Sequence, residues 1–243
     1  MFLNMTLVNI CLSLSSQAYC DFYPYKYILY DPKSDMRGFI SHENDATFIS
    51  FRGTSSFENW IEDLKIDLVP YKNGLVHKGF LEITQNLLND TVKNIYECRN
   101  IILTGHSLGG AIALLMGIEL NDMGYNVKTY TFGQPKIGDN NLNRMIGFQN
   151  YRFVHDKDIV PHLPPFPEYQ HQCNEIFQVG NIIKKECNCN ECSNNYKLKE
   201  TNIPDHKIYL EYNITECPLW ETKIFSGIDI TIMLLLKYLR YLY

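Results

Sequence analysis

The chain has no basic residue before Lys26 and no lysine or arginine cluster large enough to form a basic patch after it. With 22 Lys and Arg against 27 Asp and Glu, the formal charge is −5. That balance argues against a protein that neutralises a nucleic-acid backbone, so no nucleic-acid partner is expected. A secretory signal usually carries a positive first region, and "MFLNMTLVNICLSLSSQAYC" lacks one. Leu3, Leu7, Ile10 and Leu14 recur instead at helical spacing. They predict an amphipathic helix over about 1–20 packed on the fold. The alternative is a signal segment ending near Ser16-x-Ala18.

Long apolar runs are missing too. The uncharged stretch from Ile230 stops at Lys237, well short of the ~20 residues that a span needs. No transmembrane span is therefore expected. The segment "ITIMLLLKYLRYLY" is read as a terminal strand or helix closing the core. A surface-lying segment with Lys237 and Arg240 at headgroup level is the rival. No repeat, heptad array or low-complexity linker divides the chain, so residues 1–243 are read as one domain.

What is present is a normal globular mixture, 45% hydrophobic and 20% charged, enough for a sizeable core. Eight cysteines crowd toward the C-terminal third, around a Cys-rich loop at about 173–192. A zinc site would normally show two Cys-x2–4-Cys arms, and "CNCNEC" has no clean second arm. Disulfides in an oxidising compartment are the preferred reading, with connectivity open. Sequons at Asn4, Asn89 and Asn213 are compatible with it. Secretion or an endomembrane lumen is the expected location.

Along the chain "YKYILYD", "RGFISHE" and "ATFISFRG" read as strands, and "SSFENWIEDLKIDL" and "HKGFLEITQNLLNDTVKNIY" as helices. Strand 100–104, helix 108–122 and strand 127–132 follow, then a helix at "NLNRMIGF" and a strand at "YRFVHDKDIV". This alternation predicts an α/β fold with a mostly parallel sheet covered by helices.

Within it, "NIILTGHSLGGAIALL" carries the pattern Gly-x-Ser-x-Gly between a strand and a helix. Gly105 and Gly109 allow close backbone packing around a tight turn that lifts the Ser107 hydroxyl out at the carboxyl end of a strand. The following helix brings N–H groups and a positive dipole end to the same point. A serine hydroxyl is a weak nucleophile and needs a base oriented by a carboxylate, in chain order Ser, Asp or Glu, His. His206, in "IPDHKIYL", fits the last place better than His171. Asp156 and Asp158 both lie where a predicted strand ends, and spacing does not separate them. His77 and His106 read as structural supports.

These residues resemble the class 3 lipase family, the fungal-type lipases with an α/β-hydrolase fold. The resemblance is a series in order: "FISFRGT", "NWIEDL", "VHKGF", "TGHSLGGAIA", "YTFGQPKIGD", "DIVPHLPP" and "DHKIYL", over most of 48–210. It implies Ser107 as nucleophile, Asp158 as orienting acid and His206 as general base, with Asp156 a bystander. It further implies an oxyanion hole at Leu108 and Thr54. The segment at about 55–68 resembles the family's lid, and Phe57, Trp60, Ile61 and Leu64 do form an apolar stripe. An arbitrary helix of this kind is usually packed in a core, but its place beside Thr54 makes a mobile cover the expectation.

The resulting expectation is a serine carboxylic-ester hydrolase without metal or cofactor, acting on lipid esters at a membrane or micelle interface. Alternatives on the same triad are a phospholipase A1, a soluble-ester esterase or an acyltransferase. A non-catalytic lipid-binding relative is the rival from another class, and a zinc-stabilised interaction domain a third.

Overall fold

The structure, a computed structural model, describes residues 4–20, 26–43, 45–54, 67–95, 99–155, 157–171, 175–179, 182–187, 205, 206 and 209. Helix α1 (Met5–Gln17) opens it, with Asn4 capping its first turn by accepting from the Leu7 N–H. Strands β1 (Tyr27–Asp31), β2 (Met36–Glu43) and β3 (Ala46–Phe51) follow. Next come β4 (Leu68–Tyr71), β5 (Gly74–His77) and helix α2 (Lys78–Asn94). Then β6 (Asn100–His106), α3 (Leu108–Asp122), β7 (Asn126–Phe132), β8 (Gln149–His155), β9 (Glu175–Val179) and β10 (Ile182–Cys187) complete the order.

Among the described residues, eight strands form one sheet in the order β1-β2-β3-β6-β7-β8-β9-β10. Pairing is antiparallel from β1 to β3, parallel from β3 through β9, and antiparallel again at β10. Central strands bury alternate residues on opposite faces. Ile49, Phe51, Ile101, Leu103 and Val127 join the core under α2 and α3. Phe48, Ile102, Tyr130, Phe132 and Phe153 join the core under α1. A period of two with both sides apolar is what a covered parallel sheet requires.

Helix α3 is buried at every position from Leu108 to Leu120 except Glu119, so it runs through the interior as an all-apolar helix must. Helix α1 is fastened to the opposite face by polar contacts. Ser50 donates to the Leu14 carbonyl at 3.0 Å, and Ser15 and Thr104 hydroxyls meet at 2.8 Å. Thr104 Oγ1 also lies 3.1 Å from the Cys11 carbonyl oxygen. Cys11 is a free buried thiol whose pKa burial pushes up, so the even set of eight cysteines is not fully paired.

Three local expectations are corrected. The helix predicted to run through Leu68 gives way to a β4–β5 hairpin, with Tyr71 opposite Gly74 and Lys72 at φ 51°. The Asn73-Gly74 step is a strong hairpin signal that local helical periodicity obscured. "NLNRMIGF" forms a short 3-10 turn, Asn140–Met145, rather than an α-helix. The stretch expected as a Cys-rich loop at 173–192 contains β9 and β10. "EIFQV" and "IIKKEC" carry β-branched and aromatic residues that suit a pleated surface, a pattern that the neighbouring cysteines obscure.

Candidate active site

Strand β6 ends at His106 and α3 begins at Leu108, which leaves Ser107 alone at the turn with φ 57° and ψ −128°. Such a backbone costs a non-glycine residue about 1–3 kcal/mol and persists only where its surroundings over-determine it. Here they do. Ser107 N–H donates to the Phe132 carbonyl at 2.9 Å, and its own carbonyl accepts from Gly110 N–H at 2.9 Å. A side chain at Gly105 would collide with the Gly109 backbone, and one at Gly109 with the Phe51 carbonyl. The glycines therefore let β6, α3 and the end of β3 close up around the serine. Ser107 is buried, and among the described residues its Oγ has no hydrogen-bond partner.

The end of β7 that holds Ser107 also borders a buried Asp–His pair. His206 Nδ1 lies 3.0 Å from both carboxylate oxygens of Asp158, and Asp158 is fully buried. Asp158 is held in turn by its N–H donating to the His155 carbonyl and by Oδ1 accepting from Val160 N–H, both at 2.9 Å. Lys157 N–H donates to Asp205 at 3.1 Å, tying the loop after β8 to the His206 segment. Gly133, at φ 57°, closes the group. A Cβ there would stand 2.7 Å from Asp158 Oδ2 and 2.8 Å from His206 Nδ1. Because Ser107 bonds to Phe132, the residue before Gly133, the end of β7 connects the serine to the pair.

His171, the competitor for the base, is elsewhere. Its Nε2 contacts the Pro161 carbonyl, and burial, with Arg152 and Lys136 nearby, holds its pKa well below the usual histidine range. His77 is the buried support anticipated for it: it caps α2 by accepting from Phe80 N–H at 3.3 Å and stacks on the Phe80 ring. His106 is buried and held neutral by burial and by the charge that His206 can carry. Its imidazole stacks on that of His206, with ring centroids 4.3 Å apart.

Leu108 heads α3, so its backbone faces the serine from the positive helix end. Thr54 is half-buried, and its neighbour Gly53 packs against Ser107: a Cβ on Gly53 would lie 3.1 Å from Ser107 Cβ. Phe57, Trp60, Ile61 and Leu64 of the expected lid, and Asp156, lie outside the described residues. Two neighbours of the site are not singled out by the sequence, Tyr19 and Tyr209, whereas the glycine of "YTFGQPKIGD", Gly133, reads as setting backbone angles near the acid loop. Tyr19 had no signal, since only the fold brings it here.

A serine on a strained strand-to-helix turn, at the carboxyl edge of a mostly parallel sheet with an Asp–His pair beside it, defines an α/β-hydrolase fold. Residues 48–168 match the lipase (class 3) family, and the chain belongs to that family. It is 33% identical over 194 residues to a lipase of Rhizomucor miehei, covering 70% of this chain and 53% of the relative. A solved lipase from Rhizopus microsporus var. chinensis matches with a TM-score of 0.76 at 28% identity, covering 86% of this chain and 88% of that one. A solved triacylglycerol lipase, in which a serine protease triad forms the catalytic centre, gives a TM-score of 0.74 at 26% identity. That match covers 86% of this chain and 95% of the other. The chain spans about half the length of the curated relatives it matches. Among the described residues no helix is long and apolar enough to cross a membrane.

Proposed function

We propose that this chain hydrolyses carboxylic esters of lipids through Ser107, His206 and Asp158. The observation that carries the reading is the buried Ser107 hydroxyl, unpartnered among the described residues, on a strained turn beside the Asp158–His206 pair. In the proposed reaction Ser107 Oγ attacks the acyl carbonyl carbon while His206 takes its proton, and Asp158 orients the ring and stabilises the imidazolium. The N–H of Leu108 and the backbone and hydroxyl of Thr54 hold the tetrahedral oxyanion. The imidazolium then protonates the departing alcohol as the C–O bond breaks. Water, deprotonated by His206, attacks the acyl-enzyme, the fatty acid leaves, and Ser107 regains its proton. No metal or organic cofactor enters this scheme.

Lipid esters are favoured over soluble ones for two reasons. Relatives include secreted mono- and diacylglycerol lipases, one of them 33% identical over 147 residues. In addition, Phe57, Trp60, Ile61 and Leu64 form an apolar stripe directly after Thr54 in sequence. As a lid, that stripe would leave the site for a lipid surface, which supplies the energy of opening. The same relatives favour an extracellular or lumenal setting for this chain.

The test is labelling with a fluorophosphonate and a panel of long- and short-chain esters, with and without micelles. Wild type should be labelled and should cleave emulsified long-chain esters, and Ser107→Ala should do neither. An unlabelled wild type would refute catalysis and favour a lipid-binding relative. A preference for dissolved short esters would remove the lid and point to an esterase, and acyl transfer to an added alcohol in place of hydrolysis to an acyltransferase.

A further inference from the structure

His106 joins two parts of the molecule that are far apart in sequence. Its Nε2 lies 2.8 Å from the backbone carbonyl oxygen of His206, and its Nδ1 lies 2.8 Å from the Tyr19 hydroxyl, just beyond α1. A carbonyl only accepts, so Nε2 carries the hydrogen. A neutral imidazole has one hydrogen, so Nδ1 is a lone pair and accepts from the Tyr19 O–H. Only one polarity is consistent: Tyr19 O–H to His106 Nδ1, and His106 Nε2–H to the His206 carbonyl. Tyr19 also presses on the oxyanion side, since a side chain at Gly53 would collide with its hydroxyl. The phenol thus sits between the loop that leads into Thr54 and the support of His206.

We propose that Tyr19 and His106 are positioning residues for the base, so that the end of helix α1 belongs to the catalytic apparatus. This rests on the reading of His206 as general base. The chain fixes the His206 backbone, and the 4.3 Å stack fixes its ring plane. A ring held at both its backbone and its face spends more of its time aligned with Ser107, which acts on turnover rather than on substrate binding. Among the described residues, the titratable groups facing the His206 ring are Asp158 from the loop after β8, His106 at the end of β6, and Tyr209 at 6.4 Å between ring centroids. His155 lies behind Tyr209, which accepts its backbone N–H. Of these only Asp158 brings a carboxyl group to the ring. A His206 that drifts loses chiefly that carboxylate, and its imidazolium becomes less favoured.

The experiment compares Tyr19→Phe, His106→Phe and His106→Gln, with rates expressed per site titrated by fluorophosphonate. His106→Phe keeps an aromatic face but loses the donor. It should lower kcat about tenfold or more with KM within twofold, and move the acidic limb of the kcat profile to lower pH. His106→Gln places an amide N–H near the position of Nε2 and should recover kcat to within about threefold of wild type. Tyr19→Phe should give a smaller loss in the same direction. Unchanged kcat per titrated site in His106→Phe, or an unshifted pH limb, overturns the proposal while hydrolysis by wild type stands. A wild type that neither labels nor hydrolyses overturns the functional reading itself. Nitrogen-15 shifts of labelled histidines test the chain independently of activity. His106 should be neutral with its hydrogen on Nε2 at pH 7, and a protonated ring or the Nδ1–H form would overturn it.

Discussion

Gly133 and His206 are in contact closer than any side chain would permit: a Cβ on Gly133 would stand 2.8 Å from Nδ1 and 2.9 Å from Cε1 of the imidazole. Its φ of 57° independently disfavours any L side chain. Gly133→Ala should therefore displace His206 from Asp158. Because a misplacement of about 1 Å can cost ~100-fold in rate, ester hydrolysis should fall by about two orders of magnitude. Steady-state kinetics beside a urea melt check this, and retained activity would show that the pair relaxes at no cost.

Asp158→Asn tests the acid in the pair. The amide preserves shape and size but removes the charge, and it can present N–H to His206 Nδ1 and so favour the wrong tautomer. By the behaviour of such triads kcat should drop by roughly three to four orders of magnitude, with the folded structure intact by circular dichroism. A drop of less than tenfold would exclude Asp158 as the orienting acid.

Stability should fall on acidification. His106 and His171 are both buried, and burial holds the pKa of each well below the ordinary histidine range. Above about pH 6.5 both are neutral folded and unfolded, so they impose no penalty. Below it the unfolded chain binds protons that the folded one refuses, and each histidine costs about 1.4 kcal/mol per pH unit until its folded pKa is reached. Urea unfolding from pH 7.5 to 5 should show this slope, and His171→Gln should lessen it. A flat profile would mean that these rings protonate in place.

Thr104→Val addresses how α1 is held. The substitution keeps the branched shape that β6 favours but removes a hydroxyl that lies within 2.8 Å of Ser15 Oγ and of the Tyr130 carbonyl oxygen. Leaving such groups unpaired costs about 1–3 kcal/mol. Denaturant midpoints measure the loss. If α1 carries Tyr19 as proposed, kcat should fall with it under conditions where the protein stays folded.

The legible parts of this molecule are those encoded locally. Gly105 and Gly109 announced a tight elbow at Ser107 because close backbone approach leaves no alternative residue, and the apolar run after Ser107, broken only at Glu119, announced a helix. The β4–β5 hairpin was hidden because amphipathic spacing up to Leu68 outweighed the Asn73-Gly74 turn. Strands β9 and β10 were hidden because their residues adjoin a run of cysteines. The links from Tyr19 through His106 to His206 had no signature at all. They join side chains and carbonyls whose proximity exists only after the sheet has formed, and neither periodicity nor motif spacing encodes such contacts.

That arrangement bears on how the protein is made. Ser107 is held by β6, β7 and α3, whereas His206 is synthesised almost a hundred residues later and is joined to His106 and Asp158 by contacts across the folded sheet. A chain still emerging from the ribosome thus carries the proposed nucleophile before the proposed base. Onset of turnover during refolding should then lag behind recovery of helix signal. Under the proposed triad, activity would then report the last event of assembly.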